Sequence, residues 1–249
     1  MPFLKLVTVA CLALTLGACS SLFKPNYRAP LEVKRDAWEH VKPGCSSADC
    51  PLVNIDMIHF PAEPELDALI EKRLLKMTDN TPDSPPPPAT LKAYETRFMQ
   101  EAGSRYSAYL QAKVREQHDG IVVIELSSYL DTGGAHGMPG RGFINWSRKE
   151  HRELTLQDML VPGQEAAFWQ AAEEAHRGWL VASKLDQDAE FKKNWPFTKT
   201  PNIALTYGGV ILKYDVYSIA PYAMGHPELK VAYPRLNGVI KPELFPGRG

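Results

Sequence analysis

The amino-acid sequence predicts an α+β fold, with mainly antiparallel sheets and packed helices in two contiguous halves. Short β-rich segments recur along the chain, and several are joined by glycine turns that suit antiparallel hairpins. Two amphipathic helical segments interrupt the strands before residue 102, and a longer one begins near residue 165. A chain of 249 residues is also long enough to bury a substantial core.

In the first half, the clearest strand signal is the alternation of Ala108, Leu110 and Ala112 with polar neighbours. His118-Asp119-Gly120 then suits a tight hairpin turn. Pro61 and Pro64 break the chain before a helix, whose apolar residues recur at helical spacing. The predicted elements of this half are strands at 31–42, 52–60, 106–115, 121–130 and 143–147, and helices from Glu65 and at 90–102.

In the second half, Thr155 and Asp158 have the spacing of a helix capping box. The longest helix is predicted at 165–185, where Phe168, Ala172 and Ala175 begin an apolar stripe wide enough to cover a sheet. The remaining predicted elements are a hairpin of strands 202–207 and 210–217 and a short strand at 228–233.

The N-terminus has the pattern of a bacterial lipoprotein signal. An apolar run from Phe3 to Leu16 carries one charge, Lys5, is too short to cross a bilayer, and ends in Gly17-Ala18-Cys19. This pattern predicts a signal peptide at 1–18, acylation of the Cys19 thiol, and a lipidated tether at 19–30. An ordinary signal peptide with a chance cysteine at the junction is the alternative.

The charge balance argues against nucleic acid as a partner. The chain has 28 basic and 29 acidic residues, and loss of Lys5 with the signal leaves a formal net charge near −2. After Cys19, the thiols are Cys45 and Cys50, and in an oxidising compartment they predict a disulfide. Its loop is so small that the bond adds at most ~2 kcal/mol. A metal site there is the rival interpretation, although the second cysteine or histidine pair that zinc needs is missing.

Two unusual loops are candidates for function. The first is the glycine-rich segment 133–142, which lacks the spacing of a phosphate-binding loop and precedes a strand rather than a helix. It is either a wide connection between strands that needs glycines or a loop that presents His136 and Arg141 to a partner. In the second, at 218–226, Tyr222 either closes the core as an aromatic plug or faces a ligand together with His226.

Catalytic motifs are mostly missing. The sequence has no GxSxG, HExxH or CxxC pattern, and it predicts no cofactor and no metal site. If the two loops meet, Asp131, His136, Asp215 and His226 would converge into an acid–base or metal site, and the protein would be an envelope hydrolase. Without those motifs, an enzyme is the less favoured interpretation.

Three pieces in this order resemble the RsiV-like extracytoplasmic module, which also precedes the catalytic domain of PdaC-type peptidoglycan deacetylases. The resemblance extends over residues 30–245 and implies two contiguous halves, at 31–160 and 161–245. The pieces are Ser128–Gly137, Leu154–Leu160, and Val210–Gly225 with Val231–Leu236. In RsiV the module binds lysozyme outside the cell, so the resemblance implies a stand-alone binding module without a deacetylase domain.

The sequence and this resemblance together predict a lipid-anchored protein of the bacterial cell envelope. Ser20 after the lipidated cysteine favours the outer membrane, facing the periplasm, by a rule that holds among bacterial lipoproteins. The expected partners are the membrane, through the lipid on Cys19, and lysozyme or a cell-wall glycan. His136, Arg141, Tyr222 and His226 are the candidate contact residues. A structural lipoprotein without a ligand is the remaining alternative.

Overall fold

The computed structural model describes residues 26–79 and 86–247. The predicted signal segment and the lipidation site Cys19 therefore lie outside the described residues, as does most of the proline-rich segment 81–88. Among the helices of the described ranges, none combines the length and the apolar character needed to cross a membrane.

The first half of the chain builds a six-stranded sheet in which the strands lie in chain order. Neighbours are antiparallel except β2 and β3, which run parallel; the two helices between them in the chain provide the long connection that a parallel pair needs. The strands are β1 (Lys34–Val41), β2 (Leu52–His59), β3 (Ser107–His118), β4 (Ile121–Asp131), β5 (Met138–Ser147) and β6 (Arg152–Glu153).

Two helices, α1 (Pro64–Lys76) and α2 (Leu91–Glu101), cover one face of this sheet. Proline stands in the first turn of α1, where its missing N–H costs no helical hydrogen bond. The Thr90 side chain caps α2 by accepting a hydrogen bond from the Ala93 N–H. Leu110 of β3 is fully buried beneath these helices, so this face forms a closed apolar core.

The second half builds a three-stranded antiparallel sheet with its own apolar core. This core includes Val123 and Phe143 of the large sheet, so part of the second face of that sheet is covered. The elements are α3 (Leu156–Met159), α4 (Glu165–Ala182), α5 (Ala189–Asn194), β7 (Ile203–Thr206), β8 (Gly209–Lys213) and β9 (Glu228–Val231).

Asn145 of β5 joins the two sheets. Its buried side-chain amide donates to the Ile203 carbonyl at 2.7 Å and accepts from the Leu205 N–H at 2.7 Å. One asparagine therefore supplies the hydrogen bonds that a neighbouring strand would otherwise give to β7.

A four-residue ion network also crosses this junction. Arg115 lies 3.0 Å from Glu125 and 3.3 Å from Glu228, and Lys213 pairs with both carboxylates. Burial alone would raise the pKa of Glu125, but the hydrogen bond and charge of Lys213 hold that pKa below its usual value. The network thus satisfies charges that the junction buries.

The predicted α+β class, mainly antiparallel, is confirmed. The predicted disulfide between Cys45 and Cys50 is present. The division into halves after residue 160 stays a prediction, and both halves contribute to the second core.

Two predicted strand boundaries were wrong, and one helix was missed. β8 ends at Lys213 rather than at residue 217. β5 begins at Met138 rather than at residue 143, because glycines let the strand approach β4 closely: a Cβ on Gly140 would lie 2.7 Å from the Ser128 Oγ. The six-residue helix α5 was not predicted, since so short a segment shows little periodicity.

Candidate functional site

The sheet face opposite α1 and α2 is only partly covered by the second half of the chain. Its uncovered part carries a pair of tyrosines. Tyr109 of β3 and Tyr129 of β4 are directly opposite each other, with ring centroids 6.1 Å apart in an edge-to-face arrangement. Because side chains alternate along a strand, Tyr109 faces away from the helices that bury its neighbour Leu110. Tyr109 is 40% exposed, which makes it part of an open aromatic surface.

The two unusual loops meet beside this pair. The His136 ring stacks on Tyr222, with centroids 4.1 Å apart and planes 29° apart. The Tyr222 hydroxyl donates to the Gly137 carbonyl at 3.0 Å, and the Gly137 N–H donates to the Tyr129 hydroxyl at 3.2 Å. A Cβ on Gly137 would lie 2.4 Å from the Tyr129 ring, so only glycine fits at this contact.

Two further aromatic residues extend this surface. The Tyr217 hydroxyl lies 3.3 Å from the His136 Nε2, and its ring centroid lies 5.6 Å from that of Tyr222. On its other side, Tyr217 is nearly parallel to Trp195, with centroids 6.4 Å apart. Tyr217 has a positive φ of 65° and is 48% exposed, so the chain turns its ring toward solvent at a conformational cost.

We call this surface the aromatic shelf. It combines rings from two sheet strands, from both predicted loops and from the segment after α5. Its members are Tyr109, Tyr129, His136, Trp195, Tyr217 and Tyr222.

A polar group lies at the margin of the shelf. The Asp215 carboxylate accepts a hydrogen bond from the Arg141 N–H at 2.9 Å and lies 4.0 Å from the His226 Nδ1. Burial, followed by the charge of Arg141, lowers the pKa of His226. The His226 Nδ1 lies 3.0 Å from the Tyr214 carbonyl, to which it donates a hydrogen bond. Asp215 and His226 thus hold the two loops in place.

The structure brings the candidate loops together but divides the candidate acid–base residues between two groups. His136 is packed against tyrosines, whereas Asp215 and His226 lie beside Arg141. A pocket of about 630 Å³ next to the shelf is lined by Arg141 but by none of these three residues. In the described ranges, no group of three or more histidine, cysteine or acidic side chains could hold a metal ion.

A family model described as a protein of unknown function (DUF3298) matches residues 157–234. The chain is also similar to a DUF3298 family protein from Pseudomonas aeruginosa PAO1, whose crystal structure has a TM-score of 0.86. The two are 63% identical over 90% of this chain and 100% of the other. The chain belongs to the DUF3298 family.

A second DUF3298 structure, from Bacteroides fragilis NCTC 9343, has a TM-score of 0.71. The match covers 88% of this chain and 96% of the Bacteroides chain. At 18% identity, this likeness shows only that the two share a fold. No curated protein matches the sequence. The finer RsiV-like and PdaC-type resemblance stays a prediction.

Of the six shelf residues, the sequence predicted only His136 and Tyr222 as candidates. Tyr109 and Tyr129 lie within predicted strands and were not selected. Trp195 and Tyr217 were not selected either. One signal was available: strand alternation places Tyr109 on the face opposite Leu110, where a large aromatic side chain would need a partner.

Proposed function

We propose that this DUF3298 protein is a cell-envelope binding protein of the RsiV-like type that holds a peptidoglycan glycan on the aromatic shelf. The observation that carries the proposal is the group of partly exposed rings, which are fixed by one another and by Gly137. The apolar faces of sugar rings pack against aromatic rings, and a platform that is rigid before binding loses little entropy on binding.

Polar groups next to the shelf suit a carbohydrate. On the same sheet face, the Gln111 amide donates to Asp56 at 2.6 Å, and the Arg35 guanidinium pairs with Asp56 at 2.6 Å. The hydrogen bond from Arg35 holds the pKa of Asp56 below its usual value, so this carboxylate is ionised at neutral pH. Such a row of planar donors and acceptors can hydrogen-bond to sugar hydroxyls.

Capture of lysozyme is the second candidate. The segments that resemble the lysozyme-binding module, Ser128–Gly137 and Val210–Gly225, supply Tyr129, His136, Tyr217 and Tyr222 to the shelf. Aromatic residues of this kind are enriched at the centres of protein interfaces. The same surface therefore supports both candidates, and binding experiments separate them.

The anchoring part of the proposal places the lipid on Cys19 in the outer membrane, so that the shelf faces the periplasm. Mass spectrometry of the protein recovered from cells tests this part. We expect a mature chain that begins at an acylated Cys19, and a Cys19→Ser variant that is recovered without lipid. A mature chain that retains residues 1–18 would contradict it.

The binding part is tested by co-sedimentation with insoluble peptidoglycan and, in parallel, by pull-down with lysozyme. We expect Tyr217→Ala and Tyr222→Ala each to weaken binding about tenfold, which is the loss typical of an aromatic anchor at an interface. Tyr207→Ala is the matched control, because Tyr207 is 61% exposed in the turn between β7 and β8, outside the shelf.

If the shelf variants lose peptidoglycan binding and Tyr207→Ala does not, the result supports peptidoglycan as the ligand. The same pattern with lysozyme alone supports the second candidate. If the protein binds neither, or if all three variants behave alike, the shelf is not the binding surface. Release of soluble fragments from peptidoglycan by the purified protein would favour the hydrolase alternative.

A further inference from the structure

The pocket of about 630 Å³ next to the shelf lies along an open edge of the large sheet. β6 pairs with Trp146 and Ser147, and among the described residues the rest of β5 has no strand neighbour on that side. The pocket is bounded by the end of α1, the start of α4 and the segment 199–203. This part of β5 therefore lines a pocket instead of continuing the sheet.

Alternate backbone groups of β5 point away from β4, toward this open side. The Arg141 N–H donates outward to Asp215, and the Asn145 carbonyl accepts outward from the Leu154 N–H. Because alternate residues of a strand point the same way, the N–H and carbonyl of Phe143, midway between them, also point outward. Within the described part of the chain, no residue outside the sheet hydrogen-bonds to the Phe143 backbone.

The lining of the pocket is strongly cationic. Arg73, Lys76, Arg141 and Lys199 line it, and Glu153 is the lining carboxylate. Arg73 pairs with Glu153 at 2.6 Å, and Lys199 lies 3.8 Å from Glu165, outside the pocket.

Among the described residues, neither the Lys76 ammonium nor the Arg141 guanidinium forms an ion pair with a carboxylate. Lys76 is exposed at the end of α1, and the half-buried Arg141 guanidinium contacts only carbonyls, the nearest being that of Gly140 at 2.7 Å. Glu125 and Asp215 act on the charge of Arg141 without forming an ion pair with its guanidinium. Lys76 and Arg141 therefore leave positive charge beside the free strand edge.

We propose that this pocket binds an extended acidic peptide, which pairs with β5 beside Phe143 and places its carboxylates against Lys76 and Arg141. An unpaired strand edge recognises a peptide through main-chain hydrogen bonds, while neighbouring pockets select alternate side chains. Charge complementarity selects acidic side chains here. Partly buried apolar residues such as Met77 and Leu156 line the same pocket and receive the remaining side chains.

The experiment measures fluorescence anisotropy with a labelled peptide of alternating glutamate and valine. The comparison peptides are its glutamine counterpart and a version N-methylated at alternate residues, which cannot pair with a strand. We expect the acidic peptide to bind more tightly than either comparison, with an affinity that falls as salt rises. Lys76→Gln should weaken binding up to about fivefold, the effect of one exposed ion pair.

Lys72→Gln is the matched control, because Lys72 is exposed on α1 but does not line the pocket. Tyr222→Ala should leave peptide binding unchanged, which separates this site from the shelf. Equal binding of the acidic and glutamine peptides would overturn the proposal, as would equal losses in Lys76→Gln and Lys72→Gln. Unimpaired binding of the N-methylated peptide would overturn the strand pairing.

Discussion

The two faces of the six-stranded sheet are formed by the same strands but differ in how far they are buried. On one face, α1 and α2 seal an apolar core that includes Leu110. On the other, β7–β9 and α4 cover only part of the sheet, and the uncovered part carries the aromatic shelf. One face is therefore optimised for burial, whereas the other leaves aromatic surface in water, where it adds little to folding and is available to a ligand.

The largest expected effect is on the helical face. Leu110 is fully buried, so Leu110→Ala should lower the free energy of unfolding by about 3 kcal/mol through lost burial and a cavity. Tyr109 is the next residue on the opposite face, and Tyr109→Ala should cost less than about 1 kcal/mol while it weakens ligand binding. Urea unfolding measures both. Equal stability losses would remove the contrast between the two faces.

The next largest effect is a difference in stability loss between the covered and the open part of the sheet face opposite α1 and α2. Asn145→Ala leaves the Leu205 N–H and the Ile203 carbonyl without partners at the sheet junction, and should cost about 2 kcal/mol. Asn54→Ala is the control, since the Asn54 amide makes an exposed bond to Glu39 on the open part, and it should cost about 0.5 kcal/mol or less. Urea midpoints that shift equally would show that Asn145 does not join the sheets.

The smallest expected effect is a pH dependence of the free energy of unfolding, which comes from two partly buried histidines. Burial lowers the pKa of both His176 and His226 in the folded state. The unfolded chain takes up these protons near the ordinary histidine pKa of about 6.5, so their stabilisation is complete above that pH. It is lost as the pH falls toward the lower folded-state values.

Urea midpoints at about pH 7.5 and about pH 5.5 measure this loss. His176→Phe keeps an aromatic ring against Trp179, whose centroid lies 5.7 Å away, and removes one of the two titrating groups. The variant should therefore lose less stability on acidification than the unaltered protein. An unchanged pH dependence would mean that His176 does not titrate on unfolding.

Much of the local structure could be predicted, because it depends on nearby residues. The alternation around Leu110 fixed a strand, Asp119-Gly120 formed the turn with both residues at positive φ, and Thr155 with Asp158 formed the capping box. The disulfide between Cys45 and Cys50 likewise needs only a short segment. The start of β5 was missed, since glycines were interpreted as loop residues when they allow close packing against β4.

Less of the candidate site could be predicted. His136 and Tyr222 were chosen as loop residues, but their stacking, the role of Gly137 and the contribution of Trp195 depend on contacts between distant segments. The cationic pocket was not predicted either, because Lys76 and Arg141 lie far apart in the chain. Of its lining residues, only Arg141 was a candidate.

By itself, the sequence determined the strands, the turns, the helix caps and the fold class, because periodicity and capping act between residues a few positions apart. Only the tertiary structure decided that β2 and β3 run parallel, that Asn145 joins two sheets, and that part of one sheet face stays open. Those features depend on how helices and strands that are distant in the chain pack against one another. Patterns between residues a few positions apart carry no information about that packing.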